Sequence, residues 1–530
     1  MTNPAHASPI RLPQWLRVDL ETISTFGTAC LERIVAIDSQ SDERSTTVPS
    51  TPAQRVIAED LERYFREVGP AGLQTAIDSS GSLTVQIPAS QGCEAVPALA
   101  FMTHIDTARG TQAIDSLECV RSWDGGPVHY PGNAQLVVDV AHYPRLAEFV
   151  GDDVLHGPGL RPFGLDDKLG TAEVMTLAWL LATHPTLRHG PLVLVFRPDE
   201  EIGRHESVVS VADRLAELDV RHAFTVDGLW PFEINVSNFN ASHGRVRIPR
   251  GASEETSAGW LAVRIDGAKS HGATAKAEGY LNATTILSRS LASLPPGVRD
   301  AVSLARFETD AMAETSADVV LRAPDGAAAI LAALRAETAP HAWRGATITV
   351  EPAAGSWAHE PALERAFELL VRHRDTAPMS PVLSEESDGH QGYSNLYAIR
   401  TTDADIEVNF RLRDFSPTQL QRREEHVRDC ADQFDFEAEI REQYIDMGPA
   451  LESAPQLVRW PQEAAAELGL SASVQPIRGG TGVDPFLERG IPVGNLGTGY
   501  FAPESEKELT SRQMIARHAL WLCRIVQKVA

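Results

Sequence analysis

Between residues 83 and 228, short apolar runs alternate with segments that have the apolar spacing of a helix. SLTVQIPA and ALAFMTHID precede a predicted helix from about Lys168 to His184, and PLVLVFRPDEE and HAFTVDG follow it. Runs of this length are typical of strands buried on both faces, and intervening helices supply the crossovers that parallel strands need. The pattern predicts the α/β fold class, with a mixed, largely parallel sheet covered by helices.

A different pattern begins near residue 243 and lasts for about two hundred residues. WLAVRIDGAKSH alternates like a half-exposed strand, GYLNATTILSRSLASL has helical spacing, and VQPIRGGTGVDPFLERGIPVGNLGTGY later returns to apolar strands with glycine-rich turns. We therefore expect one α/β domain made of residues 1–243 and 441–530, with an α+β domain, residues 244–440, inserted between them.

Parts of the inserted segment resemble each other. SADVVLRAPDGAAAILAALRAE is similar to DADIEVNFRLRDFSPTQLQRREEHV, and ITVEPAAGSWAHEPALERAFELL is similar to AEIREQYIDMGPALESAPQLVRW, at nearly equal spacing. A duplicated strand–helix–strand unit would explain the similarity. Chance similarity between two α+β segments of like composition would explain it as well, and the sequence leaves both interpretations open.

Charge and cysteine content exclude several classes of function. The 530 residues carry a formal charge of −25, which disfavours nucleic acid and anionic membranes as partners. The five scattered cysteines form no CxxC pair, so neither a disulfide framework nor a thiolate zinc site is indicated. Without a leader-like N-terminus or a run of 18 apolar residues, the sequence predicts a cytoplasmic protein.

Acidic residues and one histidine follow the predicted strands. They are His104 and Asp106 in FMTHIDTARG, Asp166 and Asp167 in FGLDDKLG, Glu200 and Glu201 in FRPDEEIG, and Asp227 in FTVDG. The carboxyl ends of parallel strands converge on one crevice, where crowded carboxylates need a cation to neutralise them. Imidazole and carboxylate ligands suit zinc, manganese or cobalt, and one shared carboxylate can bridge two ions.

Each of these elements also has an ordinary structural explanation. A single HxD is common at strand ends, two aspartates before a helix commonly cap it, and a pair of glutamates after a strand is commonly solvated. The complete ordered set, with its glycines, is what favours a metal site.

The ordered motifs resemble one family. HIDT, GLDDKLGTAEVMT, PDEEIG, TVDG with FNA after it, and SHGATAKAEGYLNA are similar to peptidase T, the tripeptide aminopeptidase branch of the dinuclear-zinc peptidases that include glutamate carboxypeptidases and aminoacylases. VPSTPAQ, LRDF and IRGGT agree as well. Residues of about 310–400 have no counterpart in peptidase T, and they contain the first of the two similar copies.

The resemblance implies a role for each motif residue. His104, Asp166 and Asp227 would bind one metal ion, and Asp166 would bridge to a second ion bound by Glu201. Asp106 would orient His104, and Glu200 would be the general base that takes a proton from the attacking water.

The resemblance also implies two residues in the inserted domain, which the family uses as a lid and for dimerisation. His271 of SHGATA would hold the tetrahedral oxyanion against the substrate, and Arg413 of LRDF would grip the substrate carboxylate. Without the resemblance, both would be interpreted as ordinary surface residues.

The sequence departs from the family at two places. Relatives have a ligand histidine four residues before a glutamate; if that glutamate is Glu508, the ligand position holds Glu504. Glu504 either binds the second ion through oxygen, which favours harder metals such as manganese, or begins a solvated helix and leaves the second ion weakly held. In GGTGVDP, a glycine also follows the threonine where peptidase T has an aspartate.

We therefore expect an enzyme that uses two divalent metal ions, with zinc first and manganese or cobalt as alternatives, to remove the N-terminal residue of small peptides. The alternatives are a deacylase or another small-amide hydrolase, and a non-catalytic relative with a degenerate second metal site. The family implies a homodimer, or a monomer if the extra segment forms an internal pseudo-dimer.

Overall fold

The structure is a computed structural model that describes residues 10–251, 255–256, 259–267, 281–309, 315–324, 326–376, 392–477, 479–480 and 482–530. The chain divides into two compact units. The first unit runs up to Asn238 and resumes at Asp446, and the inserted unit is Phe239–Ile445. The domain boundaries expected from the sequence, 243/244 and 440/441, fall inside the strands Asn240–Pro249 and Glu437–Tyr444.

The described helices are α1 (Leu20–Val35), α2 (Pro52–Val68), α3 (Leu165–Thr183), α4 (His205–Glu217), α5 (Ala283–Ser293), α6 (Pro296–Arg299), α7 (Ala327–Thr338), α8 (Pro361–Thr376), α9 (Pro417–Asp432), α10 (Gly448–Glu452), α11 (Gln456–Leu468), α12 (Asp484–Glu488) and α13 (Arg512–Val529), with 3-10 helices at Pro144–Phe149 and Ala339–Arg344.

The described strands are β1 (Gln74–Ile77), β2 (Leu83–Ile87), β3 (Ala98–His104), β4 (Glu118–Val120), β5 (Val154–His156), β6 (Leu192–Arg197), β7 (Val220–Gly228), β8 (Glu233–Asn235), β9 (Asn240–Pro249), β10 (Glu255–Thr256), β11 (Trp260–Asp266), β12 (Ser303–Thr309), β13 (Ala317–Arg322), β14 (Thr347–Pro352), β15 (Trp357–Ala358), β16 (Tyr393–Thr401), β17 (Asp405–Asp414), β18 (Glu437–Tyr444), β19 (Ser473–Gln475), β20 (Val493–Gly497) and β21 (Leu509–Ser511).

The first unit is built on an eight-stranded sheet in the order β1-β2-β6-β3-β7-β20-β8-β19. Its central strands β6, β3, β7 and β20 are parallel to one another, whereas the pairs β1–β2, β2–β6 and β20–β8 are antiparallel. Every residue of β3 and β6 is buried, as expected for apolar strands between two layers of helices. The predicted mixed, largely parallel sheet covered by helices is confirmed.

Glycine determines the backbone at the start of α3. Gly164 has a φ of 89°, and a Cβ atom there would lie 2.6 Å from Cγ2 of Thr107. Both facts exclude larger residues without strain. The chain after this turn does not immediately become helical, because Asp166 and Asp167 keep non-helical dihedrals, so the regular part of α3 starts only beyond them.

The inserted unit contains two four-stranded antiparallel sheets with the same connectivity. One module is β11-α5-β12-β13-α7-β14, with the strand order β12-β13-β11-β14. The other is β9-α8-β16-β17-α9-β18, with the strand order β16-β17-β9-β18. The sequence segments that resemble each other fall on equivalent elements, namely β13 and α7 against β17 and α9. The first module lies within the second in the chain, between β9 and α8.

The two modules meet at their edge strands. The backbone N–H of Ile399 in β16 donates to Oγ1 of Thr309 in β12 at 3.0 Å. The N–H of Thr401 donates to Oε1 of Glu308 at 2.8 Å. The β12 edge of one sheet and the β16 edge of the other therefore cover each other, which protects both strands from pairing with another chain.

Within the described part of the chain, no helix combines the length and the apolar character needed to cross a membrane.

Candidate metal centre

The site lies at the carboxyl ends of parallel strands in the first unit. His104 is the last residue of β3, and Asp227 is next to last in the neighbouring β7. Glu201 lies in the loop after β6, Asp166 opens the α3 segment, and Glu504 follows β20. Because the strands run in one direction, their ends bring residues more than three hundred positions apart into one crevice.

Five of these side chains form two groups with metal-ligand geometry. One group is His104, Asp166 and Asp227, and the other is Asp166, Glu201 and Glu504. Within each group the ligand atoms lie within 4.8 Å of one another. Nε2 of His104 is 3.0 Å from Oδ1 of Asp166 and 3.5 Å from Oδ1 of Asp227. Asp166 belongs to both groups, as a bridging ligand would.

The His104 ring is held through its other nitrogen. Nδ1 lies 3.0 Å from the backbone carbonyl oxygen of Asp106 and 3.4 Å from Oδ1 of the same residue. Donation from Nδ1–H to these oxygens leaves the Nε2 lone pair for a cation. The backbone N–H of His104 also donates to Oδ2 of Asp167 at 3.2 Å.

Asp106 does more than contact the histidine. Its Oδ1 accepts the backbone N–H of Glu200 at 2.9 Å, and its Oδ2 accepts that of Glu201 at 3.1 Å. One buried carboxylate therefore fixes the ring of one ligand and the loop that carries another.

Residues of the VPSTPAQ motif hold the same loop from its other side. Asp199 precedes the two glutamates and has a φ of 59°. Its carboxylate accepts the N–H of Ser50 at 2.8 Å and Nε2 of Gln54 at 2.7 Å, and the Ser50 hydroxyl also donates to it. The N–H of Asp199 donates to Oε1 of Gln54 at 2.9 Å. These bonds stabilise a left-handed conformation that is uncommon outside glycine.

Glu508 connects the two chain segments that supply Asp166 and Glu504. Its Oε2 accepts the N–H groups of Phe163 and Gly164 at 2.8 and 2.9 Å, and its Oε1 accepts the N–H of Glu504 at 3.0 Å. Burial raises the pKa of Glu508 to about 8, although these backbone donors act against the shift. Glu508 therefore holds together the two chain segments that carry Asp166 and Glu504.

Crowding of carboxylates governs the electrostatics of the site. Burial raises the pKa of Asp227 to about 7, with Asp166 and Glu200 adding to the shift. Burial, followed by the charges of Glu504 and Asp166, raises the pKa of Glu201 as well. Burial alone would lower the pKa of His104, but Asp227 and the neighbouring hydrogen bonds raise it well above its ordinary value.

The donor set fits divalent cations. One imidazole and four carboxylates that repel one another are the ligands that zinc, manganese and cobalt accept, and positive charge among them relieves the repulsion. The first group contains the imidazole, whereas the second contains only carboxylates.

The structure places Glu200 beside this centre, where its charge adds to the raised pKa of Asp227. Nη2 of Arg197 donates to Oε1 of Glu200 at 3.1 Å. Arg413 lies in the inserted unit, where its Nη1 donates to the carbonyl oxygens of Leu412 and Ser242 at 3.0 and 3.4 Å. His271 lies outside the described residues.

Several residues of the site gave no interpretable signal in the sequence. Arg197, which contacts Glu200, is a single arginine before PDEE and belongs to no pattern of spacing. Tyr500, whose phenol hydrogen-bonds Asp166, is a single tyrosine after a glycine-rich turn. Ser50 and Gln54 belong to a motif that the family resemblance highlights without a role.

Comparison with known proteins identifies relatives along nearly the whole chain. A protein named peptidase T from Desulfitobacterium hafniense is 26% identical over 475 residues, covering 88% of this chain and 89% of the relative. One of the same name from Macrococcus caseolyticus is 26% identical over 508 residues, covering 94% and 97%. No family model matches the chain.

A solved structure supports the fold. Aminoacylhistidine dipeptidase from Vibrio alginolyticus superimposes with a TM-score of 0.51 at 14% sequence identity, covering 97% of this chain and 99% of that protein.

Proposed function

Because this chain is a relative of the peptidase T proteins, we propose that it is a metal-dependent peptidase that removes the N-terminal residue from small peptides. The observation that carries the proposal is the pair of ligand groups sharing Asp166, with Glu200 next to the ligand Glu201.

Two divalent cations are the cofactors of this proposal, with zinc as the first candidate and manganese or cobalt as alternatives. His104, Asp166 and Asp227 would hold one, and Asp166, Glu201 and Glu504 the other. When bound, such a pair polarises the scissile carbonyl and acidifies the attacking water.

The protein's own groups position and move the proton. Glu200 accepts the proton of the attacking water and delivers it to the departing amine, which requires a carboxylate close to the ligands. Asp106 fixes the backbone N–H groups of Glu200 and Glu201, so base and ligand keep a constant separation. His271 and Arg413 remain our candidates for holding the oxyanion and the substrate carboxylate.

The inserted unit bears on the oligomeric state. Its two modules have the same topology, and β12 and β16 cover each other's edges within one chain. We propose that this internal pseudo-dimer replaces a second chain and that the enzyme is a monomer. Light scattering on the purified protein tests this: a mass near 57.6 kDa supports it, and twice that mass contradicts it.

We also propose that the enzyme acts in the cytoplasm on peptides and binds neither nucleic acid nor membranes. All five cysteines are free thiols, which suits a reducing compartment. The formal charge of −25 disfavours polyanionic partners.

The function is tested by comparing wild type with Glu200→Gln. Metal content is measured first, followed by release of the N-terminal residue from a panel of tripeptides and of the acyl group from N-acyl amino acids. We expect unchanged metal in both proteins and a loss of kcat of at least about 10²-fold in the variant. Activity on N-acyl amino acids alone, or no activity on any substrate, would contradict the proposal.

A further inference from the structure

The loop that carries Glu200 also contacts a buried guanidinium group, that of Arg197. Arg197 is the last residue of β6, where it pairs in register with His104 of β3. Its side chain is 3% exposed, and the side chain of Glu200 is 16% exposed. Burial of a guanidinium is costly without a partner that offsets its lost hydration. The 3.1 Å contact between Nη2 and Oε1 of Glu200 provides such a partner.

Gly482 packs directly against this ion pair. A Cβ atom on Gly482 would lie 3.0 Å from Nη2 and 3.3 Å from Nη1 of Arg197, and 3.4 Å from Oε1 of Glu200. A carboxylate here would compete with Glu200 for the guanidinium, so the glycine and the arginine are compatible with each other in this chain.

We propose that Arg197 is a positioning residue for Glu200. It engages Oε1 of the carboxylate and leaves Oε2 to accept the proton. The inference rests on the proposed function, in which Glu200 is the general base.

The role follows from how the rest of the loop is held. Asp106 fixes the backbone N–H of Glu200, but a glutamate side chain keeps several rotatable bonds beyond its backbone. The neighbouring Glu201 is fixed at its carboxylate too, where Oε1 accepts the N–H of Ala108 at 3.0 Å. Arg197 supplies the corresponding anchor for Glu200, so base and ligand are each held at both ends. Misplacement of a catalytic group by about 1 Å can lower the rate about 10²-fold.

The experiment compares Arg197→Met and Arg197→Lys with wild type in the metal-loaded enzyme. We expect kcat to fall about 10- to 100-fold in Arg197→Met with KM within about twofold, because the base is misplaced while substrate contacts persist. Arg197→Lys retains the positive charge, so its kcat should fall less than that of Arg197→Met. Millimolar guanidinium should restore part of kcat in Arg197→Met, which loss of structure would not allow.

Further variants separate this role from a general effect of losing an arginine. Arg517→Met removes a partly buried guanidinium that binds Asp152 through two contacts of 2.7 and 2.8 Å, and it should keep kcat. Gly482→Asp should lower kcat more than Gly482→Ala does, because both side chains strain a backbone with a φ of 57° but only the carboxylate draws Arg197 away from Glu200. Combining Gly482→Asp with Arg197→Met should add little further loss.

Two kinetic results would overturn the inference. One is a kcat for Arg197→Met that stays within about twofold of wild type. The other is an unchanged kcat with a higher KM confined to tripeptides with a free carboxylate, and not their C-terminal amides, which would make Arg197 a substrate-binding residue.

A crystal structure of Arg197→Met tests the same point without any substrate. A Glu200 carboxylate displaced from its wild-type position supports the inference, and an unchanged one overturns it. An inactive wild type would contradict the proposed function, while this structural result would still decide the role of Arg197.

Discussion

The two ligand groups share Asp166 and differ in the chemical type of one donor. His104 contributes an imidazole to the first group, whereas the second group completes its set with Glu504. The first group should therefore bind zinc well, because a neutral nitrogen ligand adds affinity without adding charge repulsion. The second should bind more weakly and favour harder metals such as manganese. The presence of an imidazole in one group and its absence from the other thus make the two halves of the centre unequal.

The largest effect is expected where the two groups overlap. Asp166→Ala should reduce bound metal from about two ions per chain to less than one and abolish turnover, because both groups lose a ligand. Metal analysis after dialysis measures this. Asp139→Ala removes a buried carboxylate that belongs to neither group and serves as the control. Retention of one full equivalent by Asp166→Ala would show that the groups do not share this residue.

Removing Glu504 should affect the second ligand group and leave the first intact. Glu504→Ala should reduce bound metal from about two ions to about one, leaving the ion held by the imidazole group. Glu506→Ala, two positions along the same loop, should keep both. An unchanged stoichiometry in Glu504→Ala would remove this residue from the centre.

The asymmetry should disappear when an imidazole is placed at position 504. We expect Glu504→His to tighten zinc at the second group by about tenfold, a typical size for changes around a metal ligand. Calorimetric titration with zinc and with manganese measures the change, with Glu506→His as the matched control. A loss of zinc affinity in Glu504→His would mean that the loop cannot direct a side chain of that length at the ion.

Much of this centre could be predicted from the sequence, because strand ends in a parallel sheet have a known meeting point. His104, Asp166 and Asp227 each follow or adjoin a recognisable apolar run, so their convergence follows from the fold class. The sequence left open whether Glu504 binds the second ion, and the structure groups its carboxylate with those of Asp166 and Glu201. Arg197 could not be predicted, because a single arginine has no spacing to interpret and its contact with Glu200 depends on the turn of the loop.

The inserted unit shows a different limit of prediction from sequence. The family resemblance predicts an extra segment that starts near residue 310, whereas the structural module β11–β14 starts at Trp260. The difference arises because β9 and α8 belong to one module although the whole of the other module separates them in the chain. Linear similarity detects β13 with α7 and β17 with α9, which are contiguous, but not the elements that the insertion divides.

The smallest predicted effect concerns the hydrogen bonds that Ser50 makes to Asp199, in the loop that carries Glu201. Ser50→Ala removes the hydroxyl that donates to Asp199 and should weaken metal binding at the second group several-fold, with little change at the first. The reason is that Glu201 lies two residues after Asp199, whereas His104 is on another strand. Ser80→Ala, which removes a hydroxyl bonded to Asp78, is the control. Equal weakening at both groups would contradict a local role.

We expect two cations to lie among these five side chains. A crystal grown with zinc, with data collected on both sides of the zinc absorption edge, would locate them. We predict two anomalous peaks, one among His104, Asp166 and Asp227, and the other among Asp166, Glu201 and Glu504. Ligand side chains that point to separate places, with no peak between them, would contradict it.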